Sequence, residues 1–166
     1  MDKFFTDLVI GMESEYLTIF FKFITFFGST IFVVSLLVLF LIFRKDKLKY
    51  KFIVSTALVS LINNVIKIIV RRDRPSNMIV AEHGFSFPSG HSMCSVFVYG
   101  FIICNVLNKD SKYYILNSVL LGVLTLLICF SRVYLRVHYF SDVLVGIILG
   151  LVCLLIFNKI NCKKEK

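Results

Sequence analysis

The chain has 166 residues, of which 58% are hydrophobic and 17% charged, and it carries a formal net charge of +9. Its apolar share is well above the soluble norm of roughly 45–50%, so the chain belongs in a membrane and is long enough for one domain, 1–166. A charge of +9 would invite nucleic acid in a soluble protein, but the placement of the basic residues excludes that partner.

Residues 1–15 set Met1, Phe4, Phe5, Leu8 and Met12 along one helical stripe, with Asp2, Lys3, Asp7 and Glu13 elsewhere. This pattern predicts an interfacial helix, an anchor or lid, within an N-terminal segment 1–23. Asp2, Asp7, Glu13 and Glu15 stand where a cleavable signal would need a basic start and a small-residue site. Tyr16 to Phe27, ahead of Gly28-Ser29, reads as interfacial, re-entrant or spanning. About 20 apolar residues cross a bilayer as a helix, and five candidate spans follow at 24–43, 52–70, 89–107, 113–131 and 139–158. The expected fold class is all-α, a polytopic helical bundle of five spans plus the N-terminal interfacial or re-entrant segment.

Basic residues between the spans fall into two groups. Eleven of the nineteen lie in Arg44 to Lys51, around Lys109 and Lys112, and from Lys159 to Lys166, which the positive-inside rule makes cytoplasmic. Lys67, Arg71, Arg72, Arg74, Arg132 and Arg136 fall on the other side, where concentrated positive charge calls for an anionic ligand. The second span ends with Lys67-Ile-Ile-Val-Arg-Arg-Asp-Arg74-Pro75. Helical spacing would put Lys67, Arg71 and Arg74 on one face, with Pro75 closing the span. Snorkelling to headgroups accounts for cations at a helix end, but poorly for Lys67, which lies two turns inside.

After a loop holding Glu82 and His83, Phe87-Pro-Ser-Gly-His91 opens the third span. Pro88 breaks the chain, Ser89 can cap a helix, and Gly90 lets backbone approach a ligand whose negative charge the helix N-terminus favours. Cys94, Cys104, Cys129 and Cys153 fall inside spans without metal or redox spacing and read as small packing residues. Cys162, in the tail, is positioned for acylation at the cytoplasmic face.

The richest polar cluster is Ser131-Arg-Val-Tyr-Leu-Arg-Val-His-Tyr-Phe-Ser-Asp142. Ionisable residues at membrane depth are functional candidates because they are costly to place there. His138 and Asp142 are four apart and share a helical face, so the carboxylate can accept one imidazole N–H and leave the other nitrogen free to attack. Arg132 and Arg136 suit an anion, since guanidinium binds phosphate through paired, charge-assisted hydrogen bonds. In the last span Gly146 and Gly150 form a small-xxx-small pair, expected to hold this region against a neighbouring helix.

Taken together, Lys67-x6-Arg74-Pro75, Pro88-Ser89-Gly90-His91 and Ser131-Arg132-x5-His138-x3-Asp142 resemble the three-part signature of the type 2 phosphatidic acid phosphatase superfamily. The resemblance is complete over 67–142 and leaves the first 60 residues uncovered. It implies an all-helical membrane bundle that hydrolyses a phosphate ester or diphosphate without a metal or other cofactor. By the same resemblance His138 is the nucleophile, Asp142 its orienting partner and His91 the general acid, while Lys67, Arg74, Ser89, Gly90 and Arg132 cradle the phosphate. Arg71, Arg72 and Arg136 fall between signature positions and read as meeting lipid headgroups.

The expected function is therefore that of an integral membrane lipid phosphate phosphatase, opening at the outer face of a bacterial cytoplasmic membrane and acting through a phosphohistidine. Its expected partners are membrane lipids and a substrate such as undecaprenyl diphosphate, phosphatidylglycerophosphate or phosphatidic acid. A non-catalytic lipid-phosphate binder or transporter would be favoured by a missing signature residue, and none is missing. A metal-dependent hydrolase using Glu82, His83, His91 and His138 has suitable atoms, but the surrounding cations would repel the ion. Vanadate-dependent haloperoxidases share the signature, yet are soluble and longer.

Overall fold

The computed structural model describes residues 1–162, with side chains through Ile160. The tail 163–166 and the Cys162 side chain, expected at the cytoplasmic face, lie outside the described residues. Seven helices follow in chain order: α1 Asp2–Gly11, α2 Glu15–Phe26, α3 Thr30–Phe43, α4 Leu48–Val70, α5 Gly90–Asn105, α6 Tyr114–Tyr134 and α7 Phe140–Cys162. No strand occurs among the described residues. The all-α, multi-pass reading therefore holds.

The first span is longer than the apolar pattern indicated, because α2 and α3 form one 29-residue apolar run, Glu15–Phe43. Of the expected interfacial segment 1–23, only α1 stands apart from that run. Local chemistry explains both the start and the interruption. Ser14 caps α2 by accepting from Leu17 N, and Ser29 caps α3 by accepting from Phe32 N. Between them Gly28 sits so close to α5 and α6 that an added Cβ would lie 2.6 Å from Ile128 Cγ2 and 2.9 Å from Ser95 Oγ. Tyr99 donates to the Phe27 carbonyl at 2.8 Å and satisfies a backbone group freed by the break.

Among the described residues four helical runs are long and apolar enough to cross a membrane, while α5 has only 16 residues. At 1.5 Å per residue a helix of that length covers about 24 Å, less than the roughly 30 Å hydrocarbon core. Its burial resolves the mismatch. Met93, Val96, Phe97, Val98, Tyr99 and Phe101 of α5 are all buried, packed among α4, α6 and α7, so its N-terminus opens onto protein rather than lipid. Gly146 and Gly150 create the α5–α7 approach: a Cβ on either would lie 2.8 Å from Ser89 O and 2.7 Å from Met93 O respectively.

The expected stripe on α1 divides in two. Met1, Phe4, Leu8 and Met12 face outward, whereas Val9 is buried with Val133 and Val143, and Phe5 stacks on Phe140 at 3.8 Å between ring centroids. Asp2, Phe5 and Val9 therefore form an inward face directed at the start of α7.

Candidate active site

The α4 C-terminus, α5 N-terminus, α6 C-terminus and α7 N-terminus meet at one end of the bundle, with α2 alongside. A cavity of about 460 Å³ opens there, lined by Lys67, Arg74, Gly90, His91, Arg132 and His138 among others. Six of the eight expected site residues thus share one space. Ser89 and Asp142 lie behind it, both fully buried.

Helix α4 ends earlier than the Pro75 rule implied. Arg71 takes the left-handed conformation at φ 51° and closes the helix after Val70, with its exposed side chain returned to the Ile68 carbonyl. Lys67, Arg71 and Arg74 consequently form no common helical face. Lys67 points inward from the last turn and donates to the Phe85 and Ser86 carbonyls, at 2.6 and 3.2 Å. Arg74 arrives from the loop and is held by the carbonyls of Gly84, His83 and Val137. One turn before Lys67, the buried Asn63 donates to Pro88 O at 3.4 Å and lies against Gly90, where a Cβ would come within 3.1 Å of its Oδ1.

Ser89 caps α5: its Oγ accepts from Ser92 N and Ser92 Oγ, and its own N–H donates to Asp142 O. Its hydroxyl is thereby turned from the cavity. What the cap presents instead is the helix N-terminus, where the Gly90 and His91 N–H groups have no intrahelical acceptor.

His138 precedes α7 rather than riding on it. Its Nδ1 lies 3.6 Å from Asp142 Oδ2, just beyond a formed hydrogen bond, and its Nε2 lies 3.3 Å from Arg74 Nη1. Asp142 Oδ2 also accepts the Tyr139 N–H at 3.0 Å, a reach back from the first helical turn that fixes the carboxylate against the loop. Burial, reinforced by Arg132, Arg74 and Lys67, outweighs Asp142 and pushes the imidazole down to about 4. At neutral pH the ring is uncharged, with an Nε2 lone pair directed toward Arg74.

Arg132 is 3% exposed and would be costly without partners. It has two, donating to Thr25 Oγ1 at 2.7 Å and Glu82 Oε1 at 2.6 Å. Thr25 had no sequence signal, because nothing in an apolar helix marks one hydroxyl for a contact more than a hundred residues away. In the sequence Glu82 stands out only as a metal ligand of the hydrolase alternative. Among the described residues, no group of three or more His, Cys, Asp or Glu side chains is arranged to hold a metal ion, so the set Glu82, His83, His91 and His138 does not assemble.

Two arginines read as headgroup contacts instead pair with carboxylates of the chain itself. Arg136 reaches Glu13 at 3.2 Å. Arg72 bridges two carboxylates, donating to Asp142 Oδ1 at 2.7 Å and Asp2 Oδ2 at 2.8 Å.

Comparison with known proteins agrees with this architecture. Phosphatidylglycerophosphatase B of Bacillus subtilis is 42% identical over 95 residues, covering 55% of this chain and 47% of that protein. Dolichyldiphosphatase of Saccharomyces cerevisiae is 30% identical over 98 residues, covering 53% of this chain and 41% of that one. The matches thus span less than half the length of these two relatives. A crystal structure of a transmembrane PAP2-type phosphatidylglycerolphosphate phosphatase from Bacillus subtilis superposes with a TM-score of 0.90 at 30% identity, covering 98% of this chain and 85% of that one. Aquifex aeolicus LpxE superposes at 0.78 with 25% identity, over 93% and 92% of the two chains. The PAP2 superfamily model matches residues 48–165, which hold all eight expected site residues, and the chain belongs to that superfamily.

Proposed function

We propose that the protein is a membrane lipid phosphate phosphatase acting through a phosphohistidine on His138, without a metal. The observation that carries this reading is the two-sided setting of the imidazole, with Nδ1 toward Asp142 and Nε2 toward Arg74 in a cavity shared with Lys67, Arg132 and His91. Phosphoryl transfer needs an in-line nucleophile and charge to hold the equatorial oxygens. Lys67, Arg74, Arg132 and the α5 N-terminal N–H groups supply that charge. His138 Nε2 attacks phosphorus as the bond to the leaving oxygen breaks, and His91 gives that oxygen a proton. His91 then takes a proton from water, which attacks the phosphohistidine, releases inorganic phosphate and restores both rings.

The same cavity runs from the polar cluster between α3 and α4 past Val33, Leu37, Ile53 and Ala57. An apolar continuation of this kind fits a lipid tail and argues against a small polar phosphate ester as substrate. Phosphatidylglycerophosphate is the substrate we favour, since the Bacillus subtilis sequence match and the Bacillus subtilis crystal structure both carry its hydrolysis in their names. With Arg44 to Lys51, Lys109 and Lys112 at the other end, the positive-inside rule directs the site to the extracytoplasmic side of a bacterial cell membrane.

Purified protein should release phosphate from phosphatidylglycerophosphate faster than from phosphatidic acid or undecaprenyl diphosphate. Brief reaction with labelled substrate followed by a denaturing quench should leave acid-labile phosphate on His138. Hydrolysis without that adduct, or activity retained in His138→Ala, defeats the mechanism; preference for the diphosphate reassigns the substrate. For orientation, a cysteine at Tyr139 in a cysteine-free background should react with an impermeant reagent in intact cells, and protection of it would reverse the topology.

A further inference from the structure

Helix α1 lies outside every signature motif, yet one of its side chains is three contacts from the candidate nucleophile. Asp2 Oδ2 accepts from Arg72 Nη2 at 2.8 Å, and Arg72 Nη1 donates to Asp142 Oδ1 at 2.7 Å. Asp142 in turn faces His138 Nδ1 through its other oxygen. Ser141 closes the ring: its N–H and hydroxyl both donate to Asp2, at 2.9 and 2.8 Å, and its oxygen accepts from Arg72 at 2.7 Å. The Arg72 guanidinium also lies 4.0 Å over the Tyr139 ring. Every residue from His138 to Asp142 except Phe140 is thus touched by this assembly, and Phe140 stacks on Phe5 of the same helix α1.

Such a fork does more than anchor a helix. A carboxylate orients an imidazole well only when its own rotamer is fixed, and Asp142 has one oxygen tied to Arg72 and the other to the Tyr139 N–H. Charge matters too. The cation offsets part of the negative potential that Asp142 presents to His138, while Asp2 offsets part of the cation. We propose that Asp2 and Arg72 are positioning residues for His138, acting through Asp142 as a chain of alternating charges, Asp2–Arg72–Asp142–His138. The proposal rests on the reading of His138 as nucleophile and assigns α1 a part in the site beyond anchoring.

Other charged groups also face His138: Arg74 and Glu82 from the α4–α5 loop, Lys67 from α4, His91 from α5 and Arg132 from α6. All of these are unchanged in variants of Asp2 or Arg72, so a difference from the parent isolates the chain. Removing Arg72 leaves Asp142 uncompensated and makes His138 easier to protonate. Removing the Asp2 charge strengthens the cation and makes it harder. A mechanical staple has no reason to give opposite signs.

The test compares Arg72→Gln, Arg72→Lys, Asp2→Asn, Glu13→Gln and His138→Ala with the parent in detergent, using nitrophenyl phosphate from pH 3.5 to 8. Taking the ratio of kcat/KM to the parent's at each pH cancels the substrate's own ionisation. Arg72→Gln should lose about tenfold in kcat at pH 7 with KM within about twofold, and its ratio should fall further toward low pH by a shift of about half a pH unit. For Asp2→Asn a smaller loss, about threefold, should come with a ratio that rises toward low pH. Arg72→Lys should recover most of the kcat lost in Arg72→Gln. Glu13→Gln removes the charge from a second ion pair of the N-terminal segment, to Arg136, and should alter neither kcat nor the pH ratio.

Ratios flat with pH for both Arg72→Gln and Asp2→Asn, or Glu13→Gln behaving like Asp2→Asn, would reduce the chain to a structural tether and overturn the proposal. Thermal melts identify any variant that unfolds; if Arg72→Gln does, the sign of the Asp2→Asn ratio decides. An active His138→Ala would sink the nucleophile assignment, and the inference with it. An inactive one with flat ratios would sink the inference alone.

Discussion

The carboxylate of Glu82 lies 2.6 Å from Nη2 of Arg132 and 3.9 Å from Nη2 of Arg74, an internal anion set between two guanidinium groups of the cavity. Burial raises the Glu82 carboxyl, but the hydrogen bond and charge of Arg132, with help from Arg74, outweigh it and hold the group below its usual range. Glu82 is therefore ionised at neutral pH, and a phosphate must compete with it for Arg132. Glu82→Gln keeps an acceptor for the guanidinium while removing the charge. We expect it to bind vanadate about fivefold more tightly, the scale of a partly exposed ion pair at about 1 kcal/mol. Vanadate inhibition titrations check this, and weaker inhibition would mean that Glu82 chiefly orients Arg132.

Acid should destabilise the fold through His138. Its folded value of about 4 lies below the ordinary 6.5, so the unfolded chain binds the proton more readily. The neutral ring therefore contributes stability that is fully present above pH 6.5 and lost as the pH falls through about 4. Thermal unfolding in detergent between pH 7.5 and 4 should show a smaller acid loss in His138→Gln than in the parent. Parallel profiles would show that the histidine is protonated as readily in the fold as out of it.

Phosphatase activity should survive prolonged chelation and be blocked by vanadate, because Lys67, Arg74 and Arg132 provide positive charge where a metal would otherwise act. Release of inorganic phosphate before and after chelation is the measurement. Activity lost on chelation and restored by a divalent ion contradicts a cradle made by the protein alone.

The two glycines of α7 allow a graded test of how the site is held. Alanine at Gly146 would bring a Cβ to 2.8 Å from Ser89 O, and at Gly150 to 2.7 Å from Met93 O, both backbone atoms that cannot swing away. Gly122 has nothing within 4 Å of such an atom. Gly146→Ala and Gly150→Ala should each lose about 1–3 kcal/mol through overpacking, and Gly146→Ala should lose more activity because Ser89 caps the helix that borders the cavity. Gly122→Ala should match the parent. A Gly146→Ala protein with the parent's melting temperature and activity would mean that α7 shifts freely against α5.

Much of this site was legible because its chemistry is written locally. His138 and Asp142 are four residues apart, Pro88 to His91 form one helix start, and the apolar runs locate the spans that bring these pieces together. What escaped was contact between distant segments. Nothing in Asp2 distinguishes it from Asp7 until α1 is laid against α7, and Arg72 looks like Arg71 until the left-handed turn at Arg71 sends one outward and the other to Asp142. Helical periodicity also misled: it stacked Lys67, Arg71 and Arg74 on one face, although the helix stops at Val70 and Arg74 reaches the cavity from a loop. The expected first span, 24–43, begins inside α2, whereas the apolar run starts at Glu15, and Gly28 within it serves a close approach to α5 and α6.

His91 lines the cavity with His138, and its expected task can be separated from binding by changing the leaving group. A general acid matters when the departing oxygen is a poor leaving group, as an alkoxide is and a nitrophenolate is not. In His91→Ala, phosphorylation of His138 by nitrophenyl phosphate should remain comparatively fast, whereas phosphorylation by an alkyl phosphate such as a lysolipid phosphate should fall by roughly two to four orders of magnitude. The second half-reaction still lacks its base, so the variant should release about one nitrophenolate per site in a burst and then turn over slowly. Acid-labile phosphate should accumulate on His138 during that slow phase. Stopped-flow traces in which both substrates slow equally, with no burst and no phosphohistidine, would make His91 a binding residue and leave proton transfer to another group.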